Sequence, residues 1–265
     1  MAESPPITAA PPIDLDPASR EALAELLLSV ADDEFVIGFW DSEWTGIAPM
    51  LEEDVATSSI AQDEIGHARA LYELLATITG DDPDRIAFGR DADAYRHAAL
   101  LDHARGDWAF SVARRWLYET ADAARLSALA RSSWEPLAQL VAKMRREETY
   151  HRLHADAWLR RLDEGPAEVR ERLADALARL WPDAQQLFAP HAGEEELLRH
   201  ALVPESMRAI HATWQAEVRP ILAPITGDLP ALAPRLDGRS RHTDDFRWLH
   251  GQFTMVAGSE AGATW

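Results

Sequence analysis

Two stretches of the sequence, Asp63-Glu64-Ile65-Gly66-His67 and Glu147-Glu148-Thr149-Tyr150-His151, share the pattern Glu-x-x-His. On a helix, residues three apart lie on one face, so each stretch aims one carboxylate and one imidazole at the same place. So short a motif recurs by chance and is weak taken singly. Its placement in the chain adds weight. Glu34 precedes Glu64 by 30 residues and Glu119 precedes Glu148 by 29, and the two halves are offset by 85 and 84 residues. In helical bundles that hold two metal ions, two helices supply one Glu each and two supply Glu-x-x-His. Glu34, Glu64, His67, Glu119, Glu148 and His151 form that complement as candidate metal ligands. The four glutamates are also the candidate catalytic groups.

The residue types restrict the metal. The chain has no cysteine, which excludes disulfides, iron–sulfur clusters, thiolate zinc sites and cysteine nucleophiles together. Carboxylate oxygens with two imidazoles suit two iron ions, with manganese as the alternative, better than zinc or copper. Ligating histidines generally donate their second ring nitrogen to a carboxylate. Asp63 and Glu147, just ahead of each motif glutamate, are placed either to do this crosswise, Asp63 for His151 and Glu147 for His67, or to face solvent. Glu43, Glu52 and Glu53 read as cap or surface charges, and His154 as a packing or solvent-facing residue.

Four elements must position these groups. Asp16 and Pro17 open a helix as N-cap and first residue, and apolar residues recur at helical spacing to about Trp44. Thr45 and Gly46 break it, Pro49 restarts a helix to about Ile78, and Gly80 with Pro83 closes that one. After a connector containing Gly89, a third helix is expected from about Asp93 to Ala130, bent at Gly106. Ser132 or Ser133 caps a fourth, from Trp134 to about Asp163. Shorter helical pieces are expected near 166–180, 194–201, 205–218 and 243–256, separated by Pro182, Pro190, Pro204, Pro220, Pro224, Pro230 and Pro234. No stretch alternates like a strand. The reading is all-α: a disordered tail over 1–15, then one domain over 16–265 with a four-helix core over 16–163 and added helices over 166–256. Each candidate ligand falls in an apolar stripe, as in Leu27, Val30, Glu34, Ile37 or Met144, Glu148, His151, where a carboxylate is costly unless paired or bound to metal.

With 26 basic against 45 acidic residues the net charge is −19, which argues against nucleic acid or an anionic membrane as partner. No apolar run reaches the roughly 20 residues of a membrane span, and the first residues lack a signal-peptide pattern, so a cytoplasmic location is expected. Trp40, Trp44, Trp108, Trp116 and Trp158 lie on the same helices as the candidate ligands, as an enclosed apolar pocket or as ordinary core. Arg145, Arg146, Arg152, Arg160 and Arg161 are either a phosphate-binding cluster or surface ion pairs. Reductive oxygen chemistry needs electrons, and with neither cysteine nor a Gly-x-Gly-x-x-Gly loop after a strand the expected donor is a separate reductase.

These residues, with Ser42-Glu43-Trp44, Ala48-Pro49, Leu51-Glu52-Glu53-Asp54, Gly106-Asp107-Trp108-Ala109-Phe110 and His242-Thr243, resemble the phenylacetic acid catabolic protein family, the ferritin-like subunits of the bacterial phenylacetyl-CoA epoxidase. The similarity runs from about residue 24 to 256 and is closest to the C-type subunit. The resemblance implies a ferritin-like bundle, an A-type subunit with a di-iron centre, and a usual C-type subunit that has lost much of the ligand set and acts as a structural partner. This sequence departs from the C-type pattern by carrying Glu34, Glu64, His67, Glu119 and Glu148. The expectation is a non-haem di-iron monooxygenase acting on an organic substrate, with an aromatic acyl-CoA as the family's substrate, and assembly with copies of itself or with a homologous subunit. The alternatives are a non-catalytic structural subunit, and an iron or manganese protein without an organic substrate.

Overall fold

The computed structural model describes residues 14–259, so the expected N-terminal tail lies outside the described residues except for its last two. Helix α1 (Pro17–Ser42) starts where Asp16 accepts hydrogen bonds from the backbone of Ala18 and Ser19, with Pro17 in its first turn. Helix α2 (Leu51–Thr79) packs antiparallel along it and ends at Gly80, whose φ of +77° gives a left-handed cap that a side chain would strain. The pair closes tightly at Gly38. A Cβ there would lie 2.8 Å from Ile65 Cγ1 and 3.1 Å from both Ala61 O and the Glu64 Cβ. The missing side chain lets α1 approach α2 one turn from Glu34.

The expected third helix is corrected. A short helix α3 (Pro83–Phe88) lies ahead of it, its expected first part over 93–107 is irregular apart from two 3₁₀ turns, Ala92–Ala94 and Ala99–Asp102, and α4 runs only from Trp108 to Leu129. Gly106, at φ +71°, is a break and not a bend, and Asp107 caps the new helix by accepting from the Phe110 N–H. The start of α2 is Leu51 and not Pro49. Helix α5 (Glu135–Asp163) begins after Trp134, and Ser132 serves it indirectly by accepting the Trp134 N–H. Neither serine caps α5.

Helices α1, α2, α4 and α5 make two antiparallel pairs joined by the long 80–107 crossover, the ferritin-like form of a four-helix bundle. The added helices are α6 (Ala167–Ala184), α7 (Glu194–Arg199), α8 (Met207–Thr226) and α9 (Asp244–Thr254). Pro182, Pro220 and Pro224 do not separate elements: α6 and α8 run through them. Helices α6 and α8 cover α4, with Trp181 stacked on Trp214 at 5.3 Å and the Trp214 indole donating to Thr120. Helix α9 returns to α1, where Trp248 stacks on Trp40 and Phe253 meets Phe35. One connected cluster of buried apolar side chains runs from Leu15 to Phe253. There is no strand among the described residues, and no helix there is long and apolar enough to cross a membrane.

Candidate metal centre

Helix α1 buries Asp32, Asp33 and Glu34 in succession. Since successive helical residues point about 100° apart, the three carboxylates go to different places. Asp32 meets Arg90, Tyr72 and the Arg96 N–H; Asp33 meets Arg125, Arg239 and the Ala98 N–H. Glu34 turns into the bundle, towards Glu64 and His67 of α2, Glu119 of α4, and Glu148 and His151 of α5, all of them buried.

Two overlapping groups result. Glu34, Glu64, His67 and Glu148 each offer a ligand atom within 4.8 Å of the others, and so do Glu64, Glu119, Glu148 and His151. Glu64 and Glu148 belong to both. Each histidine presents Nδ1 to the carboxylates: His67 Nδ1 is 3.3 Å from Glu34 and 3.1 Å from Glu148, and His151 Nδ1 is 3.6 Å from Glu64 and 3.4 Å from Glu148. Each Nε2 faces outward, His67 to Glu147 at 2.8 Å and His151 to Asp63 at 3.2 Å, which is the crossed one of the two expected arrangements. Asp63 and Glu147 are 42% exposed at their side chains, so both reach solvent while holding a buried ring.

The electrostatics call for positive charge. Burial and the charges of Glu148 and Glu34 push the Glu64 carboxyl well above its ordinary range, and burial with Glu148 does the same to Glu119. Burial works against Glu148 too, but the His151 and His67 rings close beside it hold it below the usual carboxylate range. The imidazoles rise in turn: burial opposes their charge, and the nearby carboxylate of Glu148, with those of Glu34 and Glu64 for His67, outweighs it.

The donors fit a pair of divalent cations. Glu64 Oε2, Glu119 Oε2, both oxygens of Glu148 and His151 Nδ1 are buried without a hydrogen-bond partner. A native interior rarely leaves so many polar atoms unpaired in one place. The four glutamates carry four formal negative charges, which two divalent ions would balance, and an oxygen-rich set with one imidazole on each side matches the harder first-row metals.

Three residues of the centre were not read from the sequence. Arg115 Nη1 donates to Glu119 Oε1 at 2.8 Å and to Glu64 Oε1, while its other amino group pairs with Asp41. Tyr118 donates its hydroxyl to Glu34 Oε1 at 2.9 Å. Burial and then the Glu34 charge push this phenol well above its usual range, so it stays a donor. The signals were periodic ones, since Arg115 lies one turn before Glu119 and Asp41 two turns after Glu34.

Of the tryptophans, Trp44, Trp108 and Trp158 stand edge to face around a cavity that also meets Ile60, Asp41, Arg115 and His154. At about 30 Å³ it has room for one or two water-sized molecules. Trp40 and Trp116 are held elsewhere, by Leu101 O and Asp156. His154 Nε2 donates to Glu53, 2.7 Å away, so neither is a free surface group, and Glu43 pairs with Arg105. In the arginine cluster, Arg152 pairs with Asp156 and Arg161 lies over the Trp158 ring, whereas Arg145, Arg146 and Arg160 are exposed. In a separate group, His97, Asp102 and His242, both rings bond Asp102 Oδ1 and stack at 4.3 Å, tying the start of α9 to the crossover.

The chain is 29% identical over 197 residues to the C-type subunit of 1,2-phenylacetyl-CoA epoxidase from Escherichia coli (strain K12), covering 74% of this chain and 79% of that one. It is 28% identical over 212 residues to the A-type subunit of the same organism's enzyme, covering 78% of this chain and 64% of that longer one. The family model described as phenylacetic acid catabolic protein matches residues 8–265. With nearly its whole length matched and its four-helix core in place, the chain belongs to the phenylacetic acid catabolic protein family.

Proposed function

We propose that this chain is a non-haem di-iron oxygenase subunit that inserts oxygen from dioxygen into an organic substrate, in the manner of a phenylacetyl-CoA epoxidase. The observation that supports it is the convergence of six buried donors from four helices, with five of their atoms unpartnered, in a family whose relatives are named as epoxidase subunits. Bound there, two iron ions would supply reductive dioxygen chemistry; manganese fits the same donors.

The chain's own residues supply position and shielding. Glu147 and Asp63 fix which nitrogen of His67 and His151 faces inward. Tyr118 holds Glu34 by one oxygen and leaves the other for a ligand, and Arg115 does the same for Glu64 and Glu119. The three tryptophans exclude bulk water beside Arg115, and they must part to admit anything larger than dioxygen or water. The proposed substrate is an aromatic acyl-CoA. The proposed setting is a cytoplasmic assembly with a homologous subunit, as the names of both relatives suggest, fed by a separate reductase.

Metal analysis with an optical spectrum tests the centre: the chain should hold about two iron ions, and Glu148→Ala or His151→Ala should lower that sharply while helical circular dichroism persists. Full occupancy in either variant, or one tightly bound zinc in the native chain, overturns the assignment. With NADPH and a CoA thioester alone no turnover is expected, and turnover should appear on adding a reductase. If iron is present but no substrate is turned over in any combination, the structural-subunit reading replaces the catalytic one.

A further inference from the structure

The two halves of the cluster are not equivalent. In the group around His67, Glu34 meets a neutral donor, the Tyr118 hydroxyl, and Arg115 reaches that group only through the shared Glu64, by the oxygen that lies 3.6 Å from His151 while the other lies 3.8 Å from His67. The group around His151 contains a fixed cation. Arg115 grips Oε1 of both Glu64 and Glu119, the two carboxylates which that half would use together with Glu148 and His151. Its other amino group meets Asp41, a buried carboxylate outside the cluster. Arg115 and Asp41 also line the tryptophan cavity, so the guanidinium stands between that cavity and the ligand carboxylates.

A second cation entering the His151 half must share Glu64 and Glu119 with a guanidinium already within hydrogen-bond distance of them. Charge repulsion opposes this in a buried, water-poor site where screening is weak. Asp41 offers the compensation: leaning on Asp41, Arg115 keeps a counter-ion when the glutamates are taken by metal. We propose that Arg115 and Asp41 set the order of metal loading, the position formed with His67 filling first and more tightly and the position formed with His151 filling second. Arg115 is thus a positioning residue whose charge regulates the second ion. The inference rests on reading the cluster as a two-metal centre.

The test is a titration of the full chain, stripped of metal by a chelator, with Mn(II), followed by calorimetry and by the electron paramagnetic signal of bound manganese. The native chain should show two steps, the second at least about tenfold weaker, a coupling in the usual range between interacting sites. Arg115→Gln should strengthen the second step on the order of tenfold, Asp41→Asn should weaken it by a similar factor, and Arg115→Lys, with a compact ammonium that cannot fork between two carboxylates, should fall between native and Arg115→Gln. His151→Ala should keep the first step and His67→Ala should remove it. Two equal steps in the native chain, or a gap unmoved by Asp41→Asn and Arg115→Gln, overturns the loading order. So does a first step lost in His151→Ala and kept in His67→Ala. No manganese bound to either the native chain or Arg115→Gln overturns the two-metal reading itself. If Arg115→Gln does not fold, Asp41→Asn and Arg115→Lys decide the question.

Discussion

His67 Nε2 and Glu147 Oε2, 80 residues apart in the chain, lie 2.8 Å apart across the seam between α2 and α5. Glu147 is the neighbour of Glu148, so one turn of α5 both meets the inner nitrogen of His67 and holds the outer one. Removing that hold should cost affinity more than stability. Glu147→Ala is expected to weaken metal binding on the order of ten- to a hundredfold while shifting folding free energy by under about 0.5 kcal/mol, since the side chain is partly exposed. Asp63→Ala should act in the same sense but less, its contact with His151 being 3.2 Å. Metal titration beside chemical denaturation checks both, and unchanged affinity in Glu147→Ala would show that the ring needs no such partner.

Gly38 and Gly66 invite one substitution with opposite results. In a helix Gly→Ala gains about 1 kcal/mol of propensity. At the exposed Gly66 a Cβ meets nothing within 4 Å, so Gly66→Ala should raise the melting temperature. At Gly38 the same Cβ strikes Ile65, the Ala61 carbonyl and the Glu64 Cβ, and overpacking of about 1–3 kcal/mol outweighs the gain. Gly38→Ala should lower the melting temperature and loosen metal binding, because α1 and α2 must part where Glu34 and Glu64 face each other. A Gly38→Ala protein as stable as the native one would refute the close approach.

Asp102 ties the start of α9 to the crossover through His97 and His242. Burial would raise its carboxyl, but hydrogen bonds from His242 and His97 outweigh that and hold it down at about 2. A carboxylate depressed in the folded state stabilises the fold above its ordinary value of 3.8 and loses that contribution as pH falls through 3.8 towards 2. The contribution is about 2 kcal/mol, the free-energy equivalent of a carboxyl held at about 2 in place of 3.8. Asp102→Asn should therefore melt lower than the native chain at neutral pH, with the gap narrowing as pH is taken below 4. A constant gap across that range would show that the loss is one of packing.

The convergence of the six residues was legible because its evidence is arithmetic: matched offsets and a helical period fix which residues share a face before any contact is known. The crossover was misread for a related reason. Tyr95, Ala98 and Leu101 are all buried and stand three apart, a spacing that passes for helix, while the break rests on one backbone angle at Gly106 and one cap at Asp107. Pro220 and Pro224 misled in the other direction, since α8 runs on through both and its exposed residues there have little to unpack. Arg115 escaped because an arginine beside an apolar stripe usually snorkels to solvent. Only the folded arrangement of α1, α2 and α4 shows that it has three carboxylates to meet instead.

Asp33, one residue ahead of Glu34, is held by Arg125 from α4 and by Arg239 from the loop before α9. Those partners lie 92 and 206 residues downstream. As the chain emerges from the ribosome N-terminus first, the helix that must aim Glu34 carries beside it a charge whose first partner is made only with α4 and whose second only near the end of the chain. A buried carboxylate short of a counter-ion disfavours compaction, so the first helix synthesised is among the last to settle. The face that carries Glu34 is thereby timed to close late.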